Sequence, residues 1–371
     1  MMRTIDIHNR SIGLVFTPDQ TAQVTVWAPS AKKVAVLLND DSASLPLLKD
    51  DAGYWLAETD LVKPGDQYKF ILNDEIECAD PASLSLPQGI YGPSQAFNTG
   101  AFYWEDSGWV NPPLAEAIIY ELDICTFTAD GTLKAVVNRL RHLKRLGINT
   151  ILLRPVIPFP TGQSQHRDGS FLFAVQSCYG GPYQLQQLIN ACHYEEIAVI
   201  LDLACKQPSL QTESRSRGSL KRSVRQLQAT AADKTSFDAW QHYLIENALM
   251  WFRDFHADAL RLEGFHTLPD SDELLRSLRL HADALTAVTG CQYYLLIDQE
   301  LPLTLYARQH LHLQGERYND NGSTSDYQTR EYQGDYVYDR QFASILQNLF
   351  SQANKSHTRC RFAHPEIIAS C

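Results

Sequence analysis

The chain has 371 residues, 44% hydrophobic and 20% charged, long enough to bury a large core and better suited to two domains than to one. A net charge of -11 repels nucleic acid and anionic lipid at long range, and it suits a neutral substrate without selecting for one. No apolar run approaches the roughly 20 residues that cross a bilayer, and Met1–Asp6 carries no signal-peptide core, so a cytoplasmic protein without a membrane partner is expected.

Up to about Asn98 the pattern is one of short alternating runs: Ile12–Phe16, Gln23–Ala28, Lys33–Leu38, Tyr54–Glu58 and Gln67–Leu72, with Pro64-Gly65-Asp66 as a turn. Strands at this spacing predict a β-sandwich. Trp27, Trp55, Tyr68 and Phe70 serve either its core or a sugar-binding surface. The stretch Ala79–Pro113, rich in Pro, Gly and Ser, reads as the connection to a second domain. Beyond it the period changes. Apolar strands are predicted at Ile118–Leu122, Thr150–Val156, Ile197–Leu203, Ala259–Phe265 and Tyr293–Asp298. Helices are predicted at Thr132–Leu146, Tyr183–Tyr194, Phe237–Phe255 and Ser271–His281. Almost wholly apolar strands alternating with helices imply a parallel sheet covered on both faces, and five such units suggest a barrel.

Eight cysteines without a CxxC pair point to free thiols, and no HExxH, phosphate loop or GxSxG elbow is present. His310 and His312 stand too close together for a metal claim, and neither a metal nor a cofactor is expected. Lys206 to Lys234 is locally basic through Arg215, Arg217, Lys221, Arg222 and Arg225, which suits a solvated loop or an anion site.

Ile119-Tyr120-Glu121-Leu122, Thr126-Phe127-Thr128, Leu146-Gly147-Ile148, Pro155-Val156, Tyr179-Gly180-Gly181-Pro182, Val199-Ile200-Leu201-Asp202 and Asn247–His256, together with Val26-Trp27-Ala28-Pro29, carry a resemblance in order and spacing. From about residue 12 to about residue 300 the chain resembles the malto-oligosyltrehalose trehalohydrolases and glycogen-branching enzymes of glycoside hydrolase family 13. The resemblance implies an immunoglobulin-like, glucan-binding β-sandwich over residues 1–108. Residues 109–371 would then form a (β/α)8 barrel of TIM type, acting at the C-terminal ends of its strands. It also implies a retaining mechanism on α-glucan or a trehalose-terminated maltooligosaccharide, run by a carboxylate nucleophile and a protonated carboxyl.

At the fourth strand Arg261 matches the family, Glu263 stands where it has a nucleophilic aspartate, and His266 falls in the same substrate-binding segment. At the fifth strand the ungapped match puts Gln299 at the general-acid position, and an amide cannot protonate a leaving oxygen. Glu300 or Asp298 would replace it only after a bulge or a one-residue slip, and a run that is apolar on both faces leaves the register open. Asp202 matches, but Lys206 and Gln207 replace an Asn-His pair. Of a Trp-Gly-Tyr-Asp loop only Asp168 survives, with Arg167 in the place of the stacking tyrosine. No Asn-His-Asp motif follows Glu300, and the sequence there, with a helical run at Tyr338–Phe350, does not offer three further strands.

The expectation is therefore a family member impaired in catalysis that binds α-glucan or a partner enzyme. Its barrel is atypical or incomplete after residue 300, with its edge covered by a further segment or a second chain. The alternative is an active retaining hydrolase or transferase using Glu263 with Glu300 or Asp298.

Overall fold

The computed structural model describes residues 4–39, 43–154, 156–159, 171–204, 234–265, 268, 270–298, 336–338 and 360–362. For residues 204, 234–237, 298, 336–338 and 360–362 it describes the backbone alone. Among the described residues the N-terminal part holds nine strands: β1 (Gly13–Phe16), β2 (Ala22–Trp27), β3 (Val34–Leu38), β4 (Ala43–Pro46), β5 (Leu48–Lys49), β6 (Tyr54–Thr59), β7 (Gln67–Leu72), β8 (Ile76–Cys78) and β9 (Ser94–Gln95). They form two antiparallel sheets, β1-β2-β6-β5 and β4-β3-β7-β8, with β9 against β7. The alternation read from sequence directs Leu14, Val24, Val26, Val36, Trp55, Tyr68, Phe70 and Leu72 into one shared core. Trp55, Tyr68 and Phe70 are thus core rings, and half-buried Trp27 donates its indole N–H to the Ala52 carbonyl. Truncating a fully buried ring such as Phe70 costs about 3–5 kcal/mol. The four strands not foreseen, β4, β5, β8 and β9, are two to four residues long, too short for a period to register.

In the second part, β10 (Ile118–Asp123), β11 (Thr150–Arg154), β12 (Ala198–Ala204), β13 (Ala259–Glu263) and β14 (Tyr294–Asp298) pair in parallel in sequence order. β15 (Tyr336–Tyr338) extends the sheet in parallel beside β14, while β16 (Cys360–Phe362) runs antiparallel beside β10. Among the described residues β15 and β16 are the sheet's two ends, a departure from a closed barrel of eight parallel strands. Tyr338, expected to open a helix, is a strand residue, and positions 339–350 of that expectation lie outside the described residues.

Among the described residues six helices flank the sheet: α1 (Ile124–Phe127), α2 (Leu133–Val137), α3 (Leu140–Arg145), α4 (Gly181–Tyr194), α5 (Lys234–Arg253) and α6 (Ser271–Thr289). The single helix predicted over 132–146 is two. Hydrogen bonding tightens to three-residue spacing at its middle, from Arg139 N–H to Val136 O and from His142 N–H to Arg139 O, and the axis breaks there. α6 runs past the predicted His281 because Ala282 and Leu285 continue its buried stripe, and Gly290, at φ +79°, ends it. Leu153, Leu201, Leu203, Leu260, Leu262, Leu295 and Ile297 meet the helices in the main core. The opposite, inner face buries Ile119, Leu152, Ile200, Ala259 and Leu296 with Leu114 and Ala117.

α5 also carries the N-terminal sandwich. Ser11 Oγ lies 3.2 Å from His242 Nε2, Tyr54 Oη lies 3.2 Å from His242 Nδ1, and Tyr243 donates to the Pro81 carbonyl at 2.9 Å. Ala79, Leu86 and Ile90, from the stretch read as a connection, pack with Phe171 and Ala174 in a small core of their own. No described helix is long and apolar enough to cross a membrane.

Candidate active site

Alternation along the five central strands decides which residues reach the concave side of the sheet. On that inner face the N-terminal half is apolar, and the next position along is charged on four strands: Glu121 on β10, Arg154 on β11, Asp202 on β12 and Arg261 on β13. Glu263 follows Arg261 at the strand's C-terminal end, half-buried, before Gly264 at φ +82° turns the chain away.

Arg261 and Asp202 are register partners on adjacent strands. The guanidinium donates to the carboxylate at two points, Nε to Oδ1 at 3.0 Å and Nη2 to Oδ2 at 2.7 Å. With side chains 1% and 0% exposed, the pair is withdrawn from water, where a bidentate geometry is needed to offset desolvation. Arg154 Nη1 donates to Glu121 Oε1 at 2.8 Å, and its Nε sits 3.8 Å from Asp202 Oδ2. Arg261 Nη1 lies 3.7 Å from Glu121 Oε1, which closes a four-membered network of alternating sign. Glu121 and Arg154 were not singled out from sequence. The available signal was a charge at the C-terminal end of an apolar strand, in phase with its inward positions.

The register of β14 bears on the partner of Glu263. Leu295 and Ile297 belong to the outer core and Leu296 to the inner one, so Asp298 occupies the next position of the inner series. It is also the register partner of Glu263. Gln299 and Glu300 lie outside the described residues, as do Arg167, Asp168, His266 and the basic segment over residues 206–233. Lys234 opens α5, with only its backbone described. Of the residues named from sequence, the structure thus brings Asp202, Arg261 and Glu263 together and sets the backbone of Asp298 beside them.

Among the described residues no group of three or more His, Cys, Asp or Glu side chains is placed to hold a metal ion. Described cysteines Cys78, Cys125, Cys178, Cys192 and Cys291 are free thiols.

Residues 94–263 match the model of the alpha-amylase catalytic domain, and residues 11–84 match carbohydrate-binding module 48, the isoamylase N-terminal domain. The chain is 34% identical over 296 residues to the malto-oligosyltrehalose trehalohydrolase of Arthrobacter ramosus, covering 74% of this chain and 49% of that protein. It is 29% identical over 363 residues to the enzyme of the same name from Saccharolobus solfataricus, covering 91% and 64%. A provisionally assigned alpha amylase from Salmonella typhimurium superposes with a TM-score of 0.72 at 21% identity, over 94% of this chain and 57% of that one, a likeness of fold. The chain spans about half of the first of these curated relatives and just under two thirds of the second.

Proposed function

Because the chain belongs to the alpha-amylase superfamily, with a module 48 sandwich ahead of its catalytic domain, we propose that it acts on α-glucan with Glu263 and Asp298 as the working carboxylate pair. The observation that carries this reading is their register: both stand at the C-terminal ends of adjacent strands, directly opposite each other on the inner face. Adjacent strands lie about 4.7–4.9 Å apart, close to the roughly 5–5.5 Å that separates the carboxyl groups of a retaining pair.

The resemblance implies aspartate on the fourth strand and glutamate on the fifth, whereas this chain has glutamate and then aspartate. The exchange conserves the methylenes between the two backbones, so the gap is kept and the centre shifts by one methylene toward β14. Glu263 then attacks the anomeric carbon while Asp298 gives its proton to the glycosidic oxygen, which leaves as the alcohol. In the second step Asp298, now a carboxylate, takes a proton from water, whose oxygen displaces Glu263 from the sugar. Arg261, held by Asp202, keeps a fixed positive charge one inward position below the nucleophile.

The substrate that fits this reading is a maltooligosaccharide, including one ending in trehalose, met in the cytoplasm. The module boundary is set near residue 108, and the ends at β15 and β16 are covered by further segments or a second chain. A second reading, glucan binding without turnover, draws support from Gln299, Lys206, Gln207 and Arg167, all departures from the family pattern at sugar-facing positions.

The test is release of sugar from maltooligosyl trehalose and from maltodextrin by the full chain. Turnover lowered about 10²- to 10⁴-fold in Asp298→Asn and at least as far in Glu263→Gln supports the carboxylate pair. Glucan binding with no turnover in any condition selects the second reading. Turnover untouched by Asp298→Asn removes Asp298 from the mechanism.

A further inference from the structure

At the opposite, N-terminal ends of the strands lies a second buried charge cluster that the proposed reaction does not use. Residues 102–111, between the sandwich and β10, run as a strap beneath the sheet. Asp106 of the strap faces His193 near the end of α4, with Oδ2 2.8 Å from Nδ1. The other ring nitrogen of His193, Nε2, lies 3.1 Å from Oδ2 of Asp258, the residue that leads into β13. Asp258 also accepts from the Val199 amide at 2.7 Å and from the Trp109 indole N–H at 2.7 Å. The same Asp106 oxygen lies 2.8 Å from a second ring nitrogen, His256 Nδ1. Trp109 lies flat on His193, centroids 4.6 Å apart and planes 9° apart, and Trp104 covers His256 in the same way at 3.8 Å and 13°.

Hydrogen-bond inventory fixes the charge state. A neutral imidazole has one N–H and one lone pair, so one of its two contacts would set lone pair against lone pair. The Val199 amide and the Trp109 indole already donate to Asp258, and two histidine rings face Oδ2 of Asp106, so acceptor oxygens meet the His193 ring on both sides. The ring that satisfies both contacts is the imidazolium.

We infer that the strap is a proton-operated latch, closed while His193 carries both ring protons and released when the ring loses one. Burial opposes the charged ring, but the hydrogen bonds from Asp106 and Asp258 outweigh it, and the pKa of His193 is raised to about 9. Burial also works against the Asp106 carboxylate, yet the two histidine hydrogen bonds hold its pKa below the usual carboxylate range. The other titratable groups facing the site are Glu105 on the strap, Cys192 on α4, His256 after α5, and Cys291 and Tyr293 before β14. Burial first, and then the charge of Asp258, raises both thiols and is the dominant influence on the tyrosine, so these three stay neutral where His193 is charged. The strap's other polar attachments, Glu105 to Asn190, Asp106 to His256, Trp109 to Asp258 and Asn111 Nδ2 to the Gln292 carbonyl, do not use the His193 ring, so loss of its proton loosens the strap at Asp106 while these keep it on the domain.

The test uses the full chain with ¹⁵N-labelled histidine. The His193 ring should give the doubly protonated signature at neutral pH and titrate near pH 9. Subtilisin cleavage within the strap, mapped by mass spectrometry and normalised to a free strap peptide, should rise about tenfold to a hundredfold over the same range, the factor expected from one charge-assisted hydrogen bond. His193→Gln should raise cleavage at neutral pH and flatten its pH dependence. A neutral-tautomer ring at neutral pH overturns the latch. So does the same pH dependence of cleavage in His193→Gln, or loss of circular dichroism across the whole chain in step with strap cleavage. Should the variant fail to fold, ring titration and cleavage of the unaltered chain decide by themselves.

Discussion

At the C-terminal ends of the barrel strands the cations are guanidinium groups, buried Arg261 and partly exposed Arg154, set among Glu121, Asp202 and Glu263. At the N-terminal ends the cation is an imidazolium, His193, set between Asp106 and Asp258 and covered by Trp109. Both clusters offset the cost of buried carboxylates, and they differ in what they leave free. The upper one grades outward, from Asp202 at 0% and Arg261 at 1% side-chain exposure to Arg154 at 35%, and so presents charge at its rim. The lower one is closed by stacked rings. An arginine stays charged at any pH a protein survives, whereas a histidine charge exists only while its carboxylates hold the proton. One end is therefore suited to constant electrostatics beside a reaction, and the other to holding the chain together conditionally.

The contrast is broken most directly by Glu263→Gln, which should lower turnover on the order of 10⁴-fold while leaving the melting temperature near that of the unaltered chain. A stability loss without an activity loss would move Glu263 from the chemistry into the framework. Next in size, Asp202→Ala removes both acceptors of the bidentate Arg261 pair in the interior and should cost about 3–5 kcal/mol in denaturant unfolding. Adding Arg261→Met to it should recover most of that loss, and no recovery would mean the pair is not the energetic unit.

The lower cluster predicts a pH effect with a definite sign. The folded His193 pKa of about 9 lies above the ~6.5 of an unfolded histidine, so its stabilisation is complete below about pH 6.5 and is lost as pH rises through 9. Comparing the unaltered chain with His193→Gln, the difference in unfolding free energy should shrink by roughly 3 kcal/mol between neutral pH and about pH 10. A constant difference would place the charge elsewhere. The smallest expected effect is that of Arg154→Met, about 1 kcal/mol or less because the side chain is partly solvated, measured as a shift in denaturation midpoint. A loss as large as that of Asp202→Ala would show that Arg154 belongs to the buried pair rather than to its rim.

Period and composition were enough to place β10 to β14, the helices between them and the core rings of the sandwich, because each rests on which face of a local element is apolar. The site was half legible. Arg261, Asp202 and Glu263 stood out through the family resemblance at strand ends, but Glu121 and Arg154 did not, since a single charge ending an apolar run has no period. The partner of Glu263 was open for the same reason: Tyr-Leu-Leu-Ile is apolar on both faces, and only the pairing of β13 with β14 puts Asp298 rather than its neighbours opposite the glutamate. The lower cluster left no trace, because Asp106, His193 and Asp258 are 87 and 65 residues apart.

By itself the sequence determined the two-part architecture and the parallel sheet, consequences of hydrophobic patterning within a few turns of chain, while the resemblance to a family marked the strand carrying Glu263. Only the tertiary structure decided which residue pairs with that glutamate across the strands and which histidine lies between two carboxylates. Register between strands and convergence of distant side chains depend on how whole elements pack, and no local stretch encodes that.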